Sequence, residues 1–298
     1  MEHKTLRAQT ILYHNELSSL KKSLESIYNA VKISKENDGA LDFIDVYYGD
    51  ASAEPLFDEA TVAQWNDQFG EYLKLNYCFF GFNSGTSKGQ NIMFKDCETD
   101  FLMVYNPDVI VCPHYFLEML KPFERETAVG MVEAKQSPLE HPKTFQISTG
   151  LEPWGAMACV IIPTHIYREL GGLDEQSFFL YCDDVDFSWR LRLNGYKIVY
   201  QSSAYVYHSK LLNHKGQVVP TNAEIYYSAE AALLMAHKWS NNKLLKKLKA
   251  IYETGSEQQK KALAEFNRRK AEGLLVKQLD SDHKIASFEG FGYSKNRY

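Results

Sequence analysis

The chain has 298 residues, 45% of them hydrophobic, which is enough to bury a full core. No run of about 18 apolar residues occurs, which excludes a transmembrane helix on length grounds. Residues 1–10, MEHKTLRAQT, lack the apolar region of a signal peptide, so we expect a cytoplasmic protein. The five cysteines form no Cys-x-x-Cys pair and are expected to be reduced thiols.

Charge is unevenly distributed along the chain. The net charge is −5, yet residues 241–298 hold 13 Lys and Arg against 7 Asp and Glu, which leaves −11 for residues 1–240. Because nucleic acids bind basic surfaces, an acidic body disfavours a nucleic-acid partner and suits a bound cation. The basic C-terminal part is expected to contact an anionic surface or the acidic body itself.

Strand and helix patterns alternate through the first half of the chain. In chain order the predicted elements are strand Thr10–Tyr13, helix Leu17–Val31, strand Phe43–Tyr48, helix Glu59–Leu73, strand Asn76–Phe80, loop Asn83–Gly89, helix Gly89–Cys97 and strand Phe101–Tyr105. This alternation predicts an α/β fold with a mostly parallel central sheet flanked by helices. In such sheets ligands bind beyond the carboxyl ends of the strands.

The second half of the chain has a different pattern. Its predicted elements are helix His114–Phe123, strand Thr127–Val132, strand Gly155–Ile162, helix Pro163–Leu170, helix Asp184–Leu193, and strands Lys197–Tyr200 and Ala204–Tyr207. From Ala223 onward the pattern is entirely helical. We therefore predict an α/β domain over residues 1–222 and a C-terminal helical extension over residues 223–298, packed on the sheet domain.

Asp108 follows a very apolar strand, in the sequence Asn106-Pro107-Asp108. A carboxylate at that position can hold a divalent cation, which offsets the diphosphate charge of a nucleotide sugar. The alternative is a simple turn, because Asn, Pro and Asp all favour turns.

Three carboxylates lie within four residues, at Asp183, Asp184 and Asp186, where a predicted helix begins. Their mutual repulsion raises their pKa values unless a cation compensates, and the helix dipole stabilises them. Asp183 or Asp184 can act as general base towards an acceptor hydroxyl, or can be only a helix cap. Arg190, four residues after Asp186, is the expected ion-pair partner of Asp186.

Two further segments are candidate ligand contacts. His208 ends a strand and suits a manganese-like cation, although a lone His is more often structural. The segment Asn83–Asn91 contains glycines that permit close backbone approach to a ligand. It is not a P-loop, because Lys88 precedes Gly89.

Taken in order, these motifs resemble those of the family 2 glycosyltransferases with the GT-A fold, especially a bacterial rhamnosyltransferase-like branch. The resemblance extends from Thr10 to His208. The family pattern is matched by Tyr13-His14-Asn15, Gly49-Asp50-Ala51-Ser52, Asn83 with Gly85, Gly89 and Asn91, Asn106-Pro107-Asp108, Gly171-Gly172-Leu173-Asp174-Glu175, residues 178–186 and His208. Three positions depart from it: His14 is inserted, Gly49 stands where many members carry Asp, and Asp183 replaces a Glu.

The resemblance implies a Rossmann-like GT-A domain and a role for each matched residue. Residues that would contact the donor are Tyr13, Asn15 and Asp50 at the nucleobase, Asn83, Gly85, Gly89 and Asn91 along the nucleotide, and Asn106 and Asp108 at the diphosphate. Asp108 and His208 would bind Mg²⁺ or Mn²⁺. Asp184 matches the family's catalytic base, with Asp183 beside it.

The activity implied by the resemblance is inverting transfer of a sugar from a UDP- or dTDP-sugar to a hydroxyl of a glycan or lipid-linked acceptor, in bacterial surface polysaccharide synthesis. Trp154 and Asp186 are the candidate substrate contacts, and Trp154 is alternatively a packing residue. A nucleotidyltransferase would share the sheet, but this sequence has no glycine-rich signature loop of that class near its N-terminus. The remaining alternative is a non-catalytic GT-A-like protein that binds a nucleotide sugar or a partner.

The segment Asn242–Tyr252 has apolar residues on one face and lysines on the other. This pattern fits a peripheral helix on anionic lipid at the inner face of the membrane. It equally fits a helix packed on its own protein or on the partner in a homodimer.

Overall fold

The computed structural model describes residues 3–141, 143–208 and 220–293. Within these residues the chain forms one sheet of eight strands and nine helices. The elements are β1 (Leu6–Leu12), α1 (Leu17–Glu36), β2 (Ile44–Asp50), α2 (Glu59–Phe69), β3 (Leu73–Phe79), α3 (Gly85–Phe94), β4 (Phe101–Tyr105), β5 (Val109–Val111), α4 (Tyr115–Arg125), β6 (Val129–Ser137), β7 (Cys159–Pro163), α5 (Thr164–Glu169), α6 (Asp183–Leu193), β8 (Lys197–His208), α7 (Asn222–Lys238), α8 (Asn242–Glu253) and α9 (Glu257–Ala271).

The strand order is β3-β2-β1-β4-β7-β6-β8-β5. The first four strands are parallel, whereas β7 runs antiparallel to both β4 and β6. Strand β8 is parallel to β6 and antiparallel to β5. The predicted α/β fold with C-terminal helices is confirmed, and the parallel half brings the carboxyl ends of β1 to β4 to one edge of the sheet.

Strand β1 begins earlier than predicted, because its polar residues are buried and hydrogen-bonded. Gln9 is fully buried, and its side-chain amide donates to the Gln90 carbonyl of α3 at 3.0 Å. Arg7 is 7% exposed and donates to the Met93 carbonyl at 2.8 Å. Buried polar groups are tolerated when they are paired in this way, so polarity alone places the start of this strand wrongly.

Helix α3 also begins earlier than predicted, at Gly85, so that the expected loop over Asn83–Gly89 is mostly its first turn. Gly85 has a φ of 62°, and a Cβ there would lie 2.4 Å from the Phe179 carbonyl oxygen. A Cβ on Gly89 would lie 2.6 Å from Ile11 Cδ1. Both glycines therefore permit close packing of α3 against its neighbours.

The strands of the second half differ from the predictions in length. Strand β7 starts at Cys159 rather than Gly155, and the two strands expected within residues 197–207 form the single strand β8. Strand β8 is long because it pairs with β6 along most of its length, through a register shift between Ala134 and Lys135, and with β5 at its end. The three-residue strand β5 is too short to carry a period-2 signal.

The helical extension packs on the sheet domain, as predicted. Its helices share an apolar cluster with Trp154, Phe178, Val185 and Trp189. After α9 the described chain is not helical, so the all-helical prediction is wrong beyond Ala271.

The apolar face of α8 is turned towards the protein. Leu244, Leu248 and Tyr252 are buried there. This favours the self-packed alternative for the helix, since these three residues are covered, although Ile251 is 40% exposed. Among the described residues, no helix combines the length and apolar character needed to cross a bilayer.

Candidate active site

The predicted nucleobase contacts lie where β1 and β2 end. The Tyr13 backbone N–H donates to Asn15 Oδ1 at 2.8 Å, and the His14 N–H donates to Ser52 Oγ at 2.9 Å. The inserted His14 has a φ of 54°, a left-handed conformation that turns the chain sharply at this point. Tyr13 is 53% exposed at this edge and offers an aromatic surface to a ligand.

Asp50 lies at the same edge but is directed into the protein. It is fully buried, and its carboxylate accepts hydrogen bonds from the Ser52 and Leu56 backbone N–H groups, each at 2.9 Å. The Tyr77 hydroxyl donates to the same carboxylate. In this conformation Asp50 stabilises the loop after β2, whereas the sequence predicted that it would contact the nucleobase.

Gly49 precedes Asp50 and has no room for a side chain. A Cβ there would lie 2.6 Å from Phe80 Cζ and 2.7 Å from Met93 Sδ. The ring of Phe80 thus fills the space beside the position where many related sequences carry Asp. An acidic side chain at Gly49 would require both neighbours to move.

Asn83 and Asn91 flank the first turns of α3 and have different environments. Asn83 is exposed, and its Oδ1 accepts from the Gly85 N–H at 3.2 Å. The Oδ1 of Asn91 accepts from the Tyr167 hydroxyl at 2.9 Å, and its Nδ2 donates to the Leu173 carbonyl at 2.8 Å. The Asn91 amide therefore holds the glycine-rich loop before α6, whereas a contact with nucleotide was predicted.

Asp108 and His208 are adjacent because β5 pairs Val109 with His208. His208 Nε2 lies 3.5 Å from Asp108 Oδ1 and 3.2 Å from Asn106 Nδ2. On the other side of the ring, Nδ1 lies 2.9 Å from Gln136 Oε1. Sequence reasoning missed Gln136, since only the pairing of β6 with β8 brings it to His208.

This arrangement fits a divalent cation. The Gln136 amide oxygen only accepts hydrogen bonds, so a neutral His208 that donates to it from Nδ1 has the lone pair of Nε2 on the side of Asp108. That lone pair accepts from Asn106 here, in the place that a cation would take. No group of three or more His, Cys, Asp and Glu side chains in the described ranges could hold a metal ion. The protein would therefore supply two ligands, and diphosphate oxygens or water the rest.

The acidic cluster lies at the beginning of α6, directly after two residues with left-handed backbone. Tyr181 has a φ of 68° and Cys182 a φ of 60°. Such conformations are rare for residues other than glycine and concentrate at functional sites. Asp183 is 7% exposed, whereas Asp184 is half-buried. Burial and the adjacent Asp184 carboxylate raise the pKa of Asp183 to about 7, so the pair retains a proton near neutral pH.

Asp186 is fully buried, in contrast to the predicted substrate contact. The expected pair with Arg190 is confirmed, with Nε 2.8 Å from Asp186 Oδ2. Oδ1 accepts from Trp239 Nε1 at 3.0 Å and lies 2.7 Å from Lys238 Nζ. Both oxygens are thus occupied by interior groups, and the carboxylate ties α6 to the end of α7.

Trp154 is also buried, at 2% exposure, so its ring offers no face to a sugar in this conformation. Lys143 Nζ lies 4.6 Å from the ring centroid, and it forms ion pairs with Glu133 and Glu152. The Tyr293 ring packs edge-on against Trp154, with centroids 5.0 Å apart. These contacts favour the packing role for Trp154, and no sequence pattern pointed to the buried ion cluster.

The segment 155–158 joins the two acidic groups of the site. The Asn106 N–H donates to the Ala158 carbonyl at 2.9 Å. At the other end, the Gly155 N–H donates to Ser188 Oγ at 3.1 Å, and Ser188 Oγ donates to the Asp184 carbonyl at 2.7 Å. The predicted metal motif and the predicted base are therefore connected through four residues of one segment.

Several solved structures share this fold at low sequence identity. GalNAc-T7, crystallised with UDP, GalNAc and Mn²⁺, aligns with a TM-score of 0.64 and 11% identity over 95% of this chain and 57% of that chain. A mannosyltransferase from Pyrobaculum calidifontis in complex with GDP-Man and Mn²⁺ gives 0.57 and 14%, over 95% and 79%. S. aureus TarS 1-349 gives 0.52 and 14%, over 90% and 72%.

The chain thus spans little more than half the length of GalNAc-T7. No curated protein sequence matches it. A model of the family described as "Glycosyltransferase like family 2" matches residues 61–218, which is more than half of the 298 residues. The chain therefore belongs to the glycosyltransferase-like family 2 and has the GT-A fold.

Proposed function

We propose that the chain is a metal-dependent, inverting glycosyltransferase that moves a sugar from a UDP- or dTDP-sugar to a hydroxyl of a glycan or lipid-linked acceptor. One observation carries the proposal. Asp108 lies beside His208, and the backbones of Asn106 and Asp184 are linked by hydrogen bonds through Ser188 and residues 155–158. A cation-binding pair and an acid–base pair so connected are what transfer from a charged donor requires.

Asp108 and His208 would hold the cation, and Gln136 would keep the imidazole in the tautomer that can bind it. Mn²⁺ or Mg²⁺ bound there would offset the negative charge of the donor's diphosphate. The donor surface includes the exposed Tyr13 and Asn83. The UDP and GDP-Man in the GalNAc-T7 and Pyrobaculum structures support a nucleotide sugar as the donor class.

Asp184 is the proposed base, because it is half-buried whereas Asp183 is 7% exposed. Asp184 would accept the acceptor hydroxyl proton while the acceptor oxygen attacks the anomeric carbon and the nucleoside diphosphate leaves from the opposite face. This single displacement inverts the anomeric configuration. The pair holds one proton below about pH 7, and loss of this proton as pH rises leaves Asp184 ionised as the base.

A role in bacterial surface polysaccharide synthesis, and membership of the rhamnosyltransferase-like branch, are part of the proposal. They rest on the ordered motifs between Thr10 and His208. A peripheral contact with lipid would use the exposed lysines of α8, for example Lys246 and Lys247, since most of its apolar face is covered.

The test is release of nucleoside diphosphate from a panel of UDP-, dTDP- and GDP-sugars with Mn²⁺ or Mg²⁺. Parallel samples contain EDTA or the variants Asp184→Asn and Asp108→Ala. Asp67→Asn, which removes one exposed charge from α2, is the matched control. Metal-dependent release from one donor, lost in both site variants and retained in the control, would support the proposal.

Other outcomes separate the alternatives. Donor binding without release, even with glycan and lipid-linked acceptors, and unchanged by Asp184→Asn, would favour a non-catalytic nucleotide-sugar-binding protein. Neither binding nor release with any donor would refute the proposal.

A further inference from the structure

The turn before α6 is held in an unfavourable backbone conformation. Tyr181 and Cys182 have φ angles of 68° and 60°, and neither is glycine. Two successive left-handed residues persist only where surrounding contacts determine the conformation. The next two residues are Asp183 and Asp184, so the direction of both carboxylates depends on this turn.

A hydrogen bond from the helical extension holds the turn from outside. The Tyr181 hydroxyl donates to Glu224 Oε1 at 3.1 Å, across 43 residues of sequence. Glu224 Oε2 accepts from the Thr221 N–H at 2.6 Å, and the Glu224 N–H donates to Thr221 Oγ1 at 3.2 Å. Glu224 is thereby the last member of a capping box at the beginning of α7.

The capping box fixes the position of the Glu224 carboxylate before it receives the tyrosine hydroxyl. Burial raises the pKa of Glu224, but the hydrogen bonds from Thr221 and Tyr181 outweigh this and hold it below its usual value. The carboxylate is therefore ionised at neutral pH. A hydrogen bond to an ionised acceptor is stronger than one between neutral groups.

The same helix makes a second contact with the same segment. The rings of Tyr227 and Phe179 stack, with centroids 4.7 Å apart and an interplanar angle of 22°. The Phe179 carbonyl in turn accepts from the Thr86 N–H of α3 at 2.9 Å. The segment 179–182 thus lies between α3 and α7, and the tyrosine–glutamate bond reaches the turn itself from α7.

We propose that Tyr181 and Glu224 are positioning residues: their hydrogen bond fixes the left-handed turn that directs Asp183 and Asp184 into the active site. The helical extension is then part of the catalytic apparatus although it contributes no group to the chemistry. This inference rests on the proposed function, in which Asp184 is the base. It assigns a function to a contact between Tyr181, within the matched residues 178–186, and Glu224, which follows the last matched motif.

The first test compares kinetics of Tyr181→Phe and Glu224→Ala with wild type at saturating metal. We expect kcat to fall about 10- to 100-fold, because a misdirected base loses its alignment with the acceptor, while KM for the donor changes less than about 2-fold. Glu224→Gln keeps an acceptor oxygen for the tyrosine and should recover part of the loss.

Two matched controls separate positioning from folding. Thr221→Ala removes the hydroxyl that accepts from the Glu224 N–H but keeps the backbone N–H that holds the Glu224 carboxylate, so it should lower thermal stability without changing kcat. Tyr226→Phe removes a neighbouring hydroxyl, which donates to Glu230 at 3.2 Å, and should leave kcat unchanged. Equal kcat values in Tyr181→Phe and wild type would overturn the inference, as would a loss of kcat in Thr221→Ala as large as in Glu224→Ala.

A second readout does not depend on activity. Cys182 is 2% exposed and lies in the turn, whereas Cys97 and Cys159 are buried elsewhere. Alkylation of Cys182, followed by peptide mass spectrometry, should be about 10-fold faster in Tyr181→Phe, with the other two rates unchanged. If wild type transfers no sugar, the proposed function fails. An unchanged Cys182 rate would then overturn the structural part of this inference too, and a faster one would sustain it.

Discussion

Replacing Lys143 by methionine should destabilise the protein more than any surface charge removal, because Lys143 is the cation of a buried ion cluster. Its side chain is 3% exposed, and it pairs with the Glu133 and Glu152 carboxylates, whose side chains are fully buried. Lys143 also donates to the Trp154 carbonyl at 3.2 Å. Breaking a buried ion pair by removing one partner costs about 3–5 kcal/mol, since it leaves a buried charge uncompensated.

The loss of stability in Lys143→Met should depend on pH in a defined direction. Burial raises the pKa of Glu133, and burial and the Glu133 charge raise that of Glu152 well above the usual value. At these two carboxyl groups the folded state therefore binds more protons than the unfolded state above pH 4.5, so their contribution to stability falls as pH rises from there. Without Lys143 these carboxyl pKa values rise further. The deficit of Lys143→Met relative to wild type should consequently be smaller at pH 5 than at pH 8.

The assay is urea denaturation of both proteins at pH 5 and pH 8, followed by tryptophan fluorescence. Lys261→Met is the matched control, since Lys261 is 58% exposed and its ion pair with Glu257 lies at the surface, where such pairs contribute little to stability. A deficit for Lys143→Met below about 1 kcal/mol at pH 8, or one that is larger at pH 5, would refute this account of the cluster.

Three predictions concern the site directly. Asp184→Asn should reduce transfer about 10²- to 10⁴-fold, with donor affinity by calorimetry nearly unchanged; full activity would exclude Asp184 as the base. Because burial and Asp184 raise the pKa of Asp183 to about 7, kcat should rise as pH increases through this value and level off above it. A flat profile between pH 5 and 9 would contradict that coupling. Gln136→Leu should weaken Mn²⁺ activation about 10- to 100-fold, because the His208 ring loses the partner that fixes its tautomer; an unchanged metal titration would argue against this role.

The sequence was sufficient to predict that several of the motifs lie together at one edge of the sheet. Motifs such as Asn106–Asp108 follow strands, and parallel strands bring their carboxyl ends together whatever their order. The long helix α1 and the strand β4 were also predicted, because their hydrophobic patterns are strong. The start of strand β1 was placed wrongly because its first half contains paired polar residues, and strand β5 was not predicted because it is too short.

The environment of each motif residue could not be predicted in the same way. Asn91 and Asp50 are residue types that often contact ligands, yet both bind other parts of the protein here. Asn91 is hydrogen-bonded to Leu173 and Tyr167. Asp50 is hydrogen-bonded to Tyr77 and to nearby backbone N–H groups. A polar side chain that binds a ligand and one that binds the chain itself look identical in sequence. Only the tertiary pairing distinguishes them, and it involves residues up to 82 positions away.

The helical extension and α6 depend on each other, and this bears on the predicted boundary between residues 222 and 223. Lys238 Nζ lies 2.7 Å from both Asp174 Oδ2 and Asp186 Oδ1, and Trp239 donates to the same Asp186 carboxylate. Residues 1–222 alone would keep the Arg190 pair but would lose both partners of Asp186 Oδ1, and would expose Trp189, against which Trp239 packs. Since losing these partners and exposing a buried aromatic ring both cost stability, we expect the helix that carries Asp183 and Asp184 to be less stable without the extension. We therefore propose that the boundary separates two patterns of sequence and not two independent units of stability.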